Sequence, residues 1–137
     1  MYTSEEVPSS YVEEMTSLGI DVIKIKKDQE MFGRFLVGTD PTVDRYIVRD
    51  SDSRLNSRER IAVEEWINST LPVHSMRDHP NHCYSFNGGL WGATKDAIPN
   101  LEAKLQEWRM KSGYMQDMRF LGSLWETLKE QTFQHDR

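Results

Sequence analysis

The run Arg45-Tyr46-Ile47-Val48-Arg49 passes directly into Asp50-Ser51-Asp52-Ser53-Arg54, and this junction restricts the fold more than any other stretch. A β-branched and aromatic run of this kind is predicted to be a buried strand. A helix is predicted next, from Ser57 to Asn68. Asn56 stands at its cap, Glu59 where a capping box needs it, and Ile61, Val63, Trp66 and Ile67 supply apolar surface. A strand that feeds a helix in this way is the working unit of α/β architecture.

The remaining segments fit that class. Residues 9–18 read as a short helix with Val12 and Met15 on one face and Gly19 as its stop. Ile20 to Ile25 alternates like a strand. Residues 28–37, around Met31, Phe32, Phe35 and Leu36, are predicted helical, and Asp40-Pro41 breaks the pattern. Residues 74–94 read as loop with short strands. Helical spacing returns at Leu101, Leu105 and Trp108, ending at Gly113, and again at Leu121, Leu124, Trp125 and Leu128. Gln131 to His135 is predicted to be a short terminal strand. Without repeats or a linker, residues 1–137 are expected to form one domain.

Composition narrows the function classes. A net charge of -5 argues against broad binding to nucleic acid or anionic membranes. The single cysteine, Cys83, allows no intrachain disulfide. No apolar run is long enough to span a membrane, and polar, acidic Met1 to Ser10 is not a signal peptide, so the expected location is cytoplasmic.

Four elements carry chemistry. Asp50 and Asp52 sit where the chain leaves a strand, the position at which open α/β sheets bind ligands. Two carboxylates so placed can hold magnesium or manganese together with substrate phosphates; an acidic surface turn is the other reading. The second element, His74 to Gly92, holds His74, His79, His82 and Cys83, whose spacing matches no standard zinc pattern. It can instead line a ligand pocket, with Arg77 and Asp78 available for sugar hydroxyls or phosphate. There Gly88, Gly89 and Gly92 around Trp91 either let a ligand approach the backbone or form a tight turn with Trp91 in the core. Asp117 precedes the apolar pair Phe120-Leu121 and suits a helix start as well as catalysis. His135, followed by Asp136, is the fourth.

In this order the elements resemble glycosyltransferases of the GT-A fold, in particular a domain group found in large algal viruses. The resemblance rests on Arg49 to Arg54, Arg58-Glu59, Ala62-Val63, Glu65-Trp66, His74 to His82, Gly88 to Gly92, Asp117 and His135-Asp136. It implies a Rossmann-like sandwich, a mixed sheet flanked by helices. It also implies that Asp50, Asp52 and His135 hold manganese (or magnesium). By the same resemblance Asp50, Asp52, Arg54, Arg77, Asp78, Gly88, Gly89 and Trp91 meet a UDP-sugar donor, and Asp117 stands at the reacting centre near a glycan acceptor. Two departures stand out. The family begins with a strand that polar Met1 to Ser10 is not expected to supply, and Gln116-Asp117-Met118 replaces the usual Asp-Gln pair. The expected activity is metal-dependent sugar transfer. The alternatives are a non-catalytic remnant that binds sugar or nucleotide, and a metal-dependent phosphohydrolase using His79 or His82.

Overall fold

The computed structural model describes residues 1–136 other than 78, 83 and 112. A small parallel sheet opens the chain: β1 (Tyr2–Ser4) pairs with β2 (Ile23–Ile25), and α1 (Ser9–Ser17) connects them. A 3₁₀ segment, Lys27–Thr39, leads to β3 (Arg45–Arg49) and α2 (Ser57–Ser69). β4 (Val73–Met76), β5 (Leu90–Thr94), α3 (Leu101–Arg109), α4 (Gln116–Leu128) and β6 (Thr132–His135) complete the described elements. The second sheet runs β3-β5-β4-β6. The chain is therefore mixed α/β, with a mixed sheet and flanking helices.

The expectation of no strand before Ser9 is corrected by β1. Its residues are polar and half-buried, so no apolar run announces it. Backbone pairing in the register Tyr2 to Ile23 and Ser4 to Ile25 makes the strand instead. Lys27–Thr39, expected to be helical over 28–37, is helical and wound as 3₁₀. Gly33 and Gly38 let it lie close to its neighbours. A Cβ on Gly33 would overlap the Ile25 side chain, and one on Gly38 would come within 2.6 Å of the Tyr46 hydroxyl.

Strand pleat decides what each face of the large sheet carries, because successive side chains point to opposite sides. Tyr46 and Val48 face the 3₁₀ segment, α3 and α4, where Phe32, Phe35, Phe86, Trp91, Leu105, Phe120, Leu121 and Leu124 form the core. Arg45 and Arg49 face α2. The Arg45 guanidinium lies 4.8 Å from the Trp66 ring centroid, and Arg49 pairs with Glu59. Asn56 caps α2 by accepting from the backbone N–H groups of Arg58 and Glu59, as predicted. The Glu59 side chain does not complete a capping box, because it is committed to Arg49.

Chain direction positions the site. β5 is antiparallel to both β3 and β4, and β6 is parallel to β4. β3, β4 and β6 therefore point the same way. Their carboxyl ends, with the amino end of β5, bring Asp50, Arg77, Asp136 and the Gly88-Gly89 turn to one end of the sheet.

Candidate functional site

Asp50 leaves β3 in step with Tyr46 and Val48, on the core side of the pleat. A turn follows at once, with the Ser53 N–H donating to the Asp50 carbonyl at 3.0 Å. The turn sets Asp50 and Asp52 on the wall of an open cleft of about 980 Å³. Met1 and Tyr2 also line it, and Gly33, Arg34 and Val37 contribute from the 3₁₀ segment. A volume of this size suits a small-molecule ligand.

Arg34 ties the site together. Its Nη1 donates to Asp50 Oδ1 at 3.1 Å and lies 3.9 Å from Asp117 Oδ2. Asp117 stands in the first turn of α4 with its carboxylate 16% exposed, against 47% for Asp50. It is not the cap; that position belongs to Met115, in the left-handed region at φ 60°. Gly88 and Gly89 press onto the same group. A Cβ on Gly88 would fall 2.7 Å from Arg34 Nη1, and one on Gly89 would overlap the Asp50 carboxylate and lie 2.8 Å from its backbone nitrogen. Glycine is needed here for close approach, but of the chain's own Arg34 and Asp50 side chains rather than of a ligand.

The other expected site residues fall elsewhere. Trp91 is a core residue, 1% exposed, packed against Phe35, Tyr46 and Phe86. The pleat sends it inward beside Ala93, so the tight-turn alternative holds and its ring has no face for a donor. Arg77 forms a two-pronged ion pair with Asp136, at 2.8 and 2.9 Å, which fastens the end of β4 to the end of β6. Arg54 is exposed and does not line the cleft. Asp78 lies outside the described residues.

His135 is not brought to Asp50 and Asp52. β6 is separated from β3 by β5 and β4, three strand spacings or about 14 Å. Its ring also points to the α2 face, where Nδ1 is 3.5 Å from Glu65 Oε2 and the ring meets His74 edge-on at 5.0 Å. His74 is fully buried and stacked on Trp66, with centroids 5.2 Å apart. Burial, with His135 and Arg49 nearby, lowers its pKa to about 3. Burial also lowers that of His135, against the opposing pull of Glu65.

These positions test the metal implied by the resemblance. Among the described residues no group of three histidine, cysteine or acidic side chains is placed to hold an ion. The three-ligand set with His135 does not fit. Asp50 and Asp52 both remain on the cleft wall, and carboxylate oxygens are donors of the kind that magnesium or manganese takes when a diphosphate and water supply the rest. The zinc alternative at His74 to Cys83 has no support among the described residues, and Cys83 itself lies outside them. His79 and His82 lie with their ring centroids 5.2 Å apart and do not line the cleft.

Sequence reasoning missed Arg34. Its one signal is a charge interrupting the apolar run Met31-Phe32-Gly33-Arg34-Phe35-Leu36. A cation kept in such a run has a partner to meet on the buried side.

Among the described residues no helix is long and apolar enough to cross a membrane. No family model, curated protein or solved structure matches the chain.

Proposed function

We infer that this chain is a glycosyltransferase of GT-A type, which takes a sugar from a nucleotide donor, a uridine diphosphate sugar, and passes it to a glycan hydroxyl. One observation supports this above all. A nucleotide-sized cleft lies at the carboxyl end of β3, with Asp50 and Asp52 on its wall and the Gly88-Gly89 turn and Asp117 beside Asp50. Asp50 and Asp52 would hold manganese or magnesium, which when bound would offset the charge of the departing diphosphate. Gly88 and Gly89 let Arg34 and the Asp50 carboxylate seat against the backbone beside the cleft. Asp117, the more enclosed carboxylate, sits beside Arg34 and would act as a base towards the acceptor hydroxyl or a stabiliser of positive charge on the sugar. Positioning by these fixed groups supplies most of the remaining rate.

A second reading, binding without turnover, is favoured by His135, which faces α2 and leaves two carboxylates as the protein's share of the metal site.

Calorimetry with UDP and UDP-sugars, with and without manganese, tests the donor site. Manganese-dependent binding that disappears in Asp52→Ala supports it. A folded protein that binds neither UDP nor any UDP-sugar refutes it. Sugar transfer to a glycan acceptor then separates the transferase from the binding-only reading.

A further inference from the structure

The cleft already contains a cation. Arg34 Nη1 sits between Asp50 Oδ1 and Asp117 Oδ2, at 3.1 and 3.9 Å, and the Gly88-Gly89 turn closes over this trio. Neither carboxylate has another cation of the protein within ion-pair distance among the pairs the structure describes. A guanidinium offers several donors in a planar fork and keeps its charge at any physiological pH, so it is well made to neutralise two acids at once. It is also 35% exposed and borders open space in the cleft, so it has somewhere to swing.

Resting on the donor-site reading above, we propose that Arg34 is the resident counter-ion of this site and gates it, so that a divalent ion at Asp50 and the guanidinium at Asp50 exclude one another. Three facts carry the inference. The oxygen that faces Arg34 belongs to the first acid of the Asp50-Ser51-Asp52 turn, one of the two side chains able to receive the metal. A divalent ion there would lie within a few ångströms of the guanidinium, closer than the distance over which salt screens charge, so the two repel even in an open cleft. And the Asp50 carboxylate that Arg34 meets is seated against the Gly89 backbone, in the space that a Cβ there would fill. Metal entry therefore requires Arg34 to leave, and Arg34 holds the acids in place when no metal is bound. The consequence is regulatory. The empty chain has low affinity for free divalent ions, and loading becomes favourable when a ligand's phosphates offer the displaced guanidinium a new partner.

The test is titration of the full chain with Mn²⁺, followed by electron paramagnetic resonance of the free ion, without nucleotide. Wild type, Arg34→Gln, Arg34→Lys and Asp50→Asn are compared. Removing one adjacent positive charge is expected to tighten Mn²⁺ binding about tenfold or more in Arg34→Gln, while Arg34→Lys stays near wild type and Asp50→Asn binds least. Equal affinity in Arg34→Gln and wild type, with binding still lost in Asp50→Asn, overturns the counter-ion and leaves the donor site standing. Binding indifferent to Asp50→Asn places the ion elsewhere and overturns both. Should Arg34→Gln not fold, the wild-type chain answers alone. The Arg34 side-chain Nε–H resonance should shift saturably with Mg²⁺, and a resonance that stays fixed as the metal loads overturns the proposal.

Discussion

Arg49 and Glu59 meet where β3 hands the chain to α2, Nε to Oε1 at 2.8 Å, with each side chain only 10% exposed. Arg49 also donates to the carbonyls of Val48 and Trp91, at 2.7 and 3.3 Å, so one guanidinium joins β3, β5 and α2. Burial lowers the Arg49 pKa, and Glu59 opposes that shift. Removing the acid strands a buried charge, which typically costs about 3–5 kcal/mol. Glu59→Gln should therefore lower the melting temperature by roughly 10 °C. The double variant Arg49→Met, Glu59→Leu should recover much of the loss, and thermal denaturation of the three proteins checks both statements.

His74 makes the protein acid-sensitive. Its pKa is about 3 when folded, depressed by burial, so the unfolded chain binds a proton that the folded chain refuses. The associated stability is fully present above the ordinary histidine pKa and is lost as pH falls from there towards about 3. At pH 5 the loss amounts to about 2 kcal/mol relative to pH 7. His135, shifted the same way by burial, adds to it in sign. Urea midpoints measured from pH 7.5 to pH 5 should fall steeply in wild type and more gently in His74→Phe, which keeps an aromatic ring against Trp66.

Two glycines predict opposite outcomes. Gly122 lies inside α4 with nothing within 4 Å of a Cβ built there. Gly122→Ala should stabilise the protein by about 0.5–1 kcal/mol, through helix propensity and a less flexible unfolded chain. A melting temperature that fails to rise would show that this helix face is covered in solution.

Gly89→Ala forces a Cβ into the Asp50 carboxylate and its backbone nitrogen. The strand end must shift, at a cost of about 1–3 kcal/mol. Manganese-dependent UDP binding should weaken at least about tenfold, since Asp50 moves off the cleft wall. Calorimetry at a temperature where the variant is folded separates lost binding from lost stability.

Much of the fold was legible, and the gaps have physical causes. Helices α2 and α4 declare themselves through the Asn56 cap and the spacing of Phe120, Leu121, Leu124 and Leu128. β3 does so through its composition. β1 is hidden because Tyr2-Thr3-Ser4 is held by backbone pairing across the intervening α1, a long-range relation that local pattern does not encode. At the site, Asp50, Gly88, Gly89 and Asp117 come together around Arg34. Trp91 and His135 do not, because alternation along a strand decides the face of each, and sequence order carries no record of which face is core. Arg77, expected at a ligand, instead meets Asp136, which lies near the end of the chain.

The two sheets leave a gap between them. β3 ends the larger sheet, and the pairing of Tyr46 with Ala93 and of Val48 with Trp91 turns the backbone amides and carbonyls of Arg45, Ile47 and Arg49 outward. An unpaired rim of this kind invites another molecule to zip onto it. Among the described residues no other strand takes up this rim, so the edge of β3 that borders the cleft keeps its backbone donors and acceptors open to whatever the cleft receives.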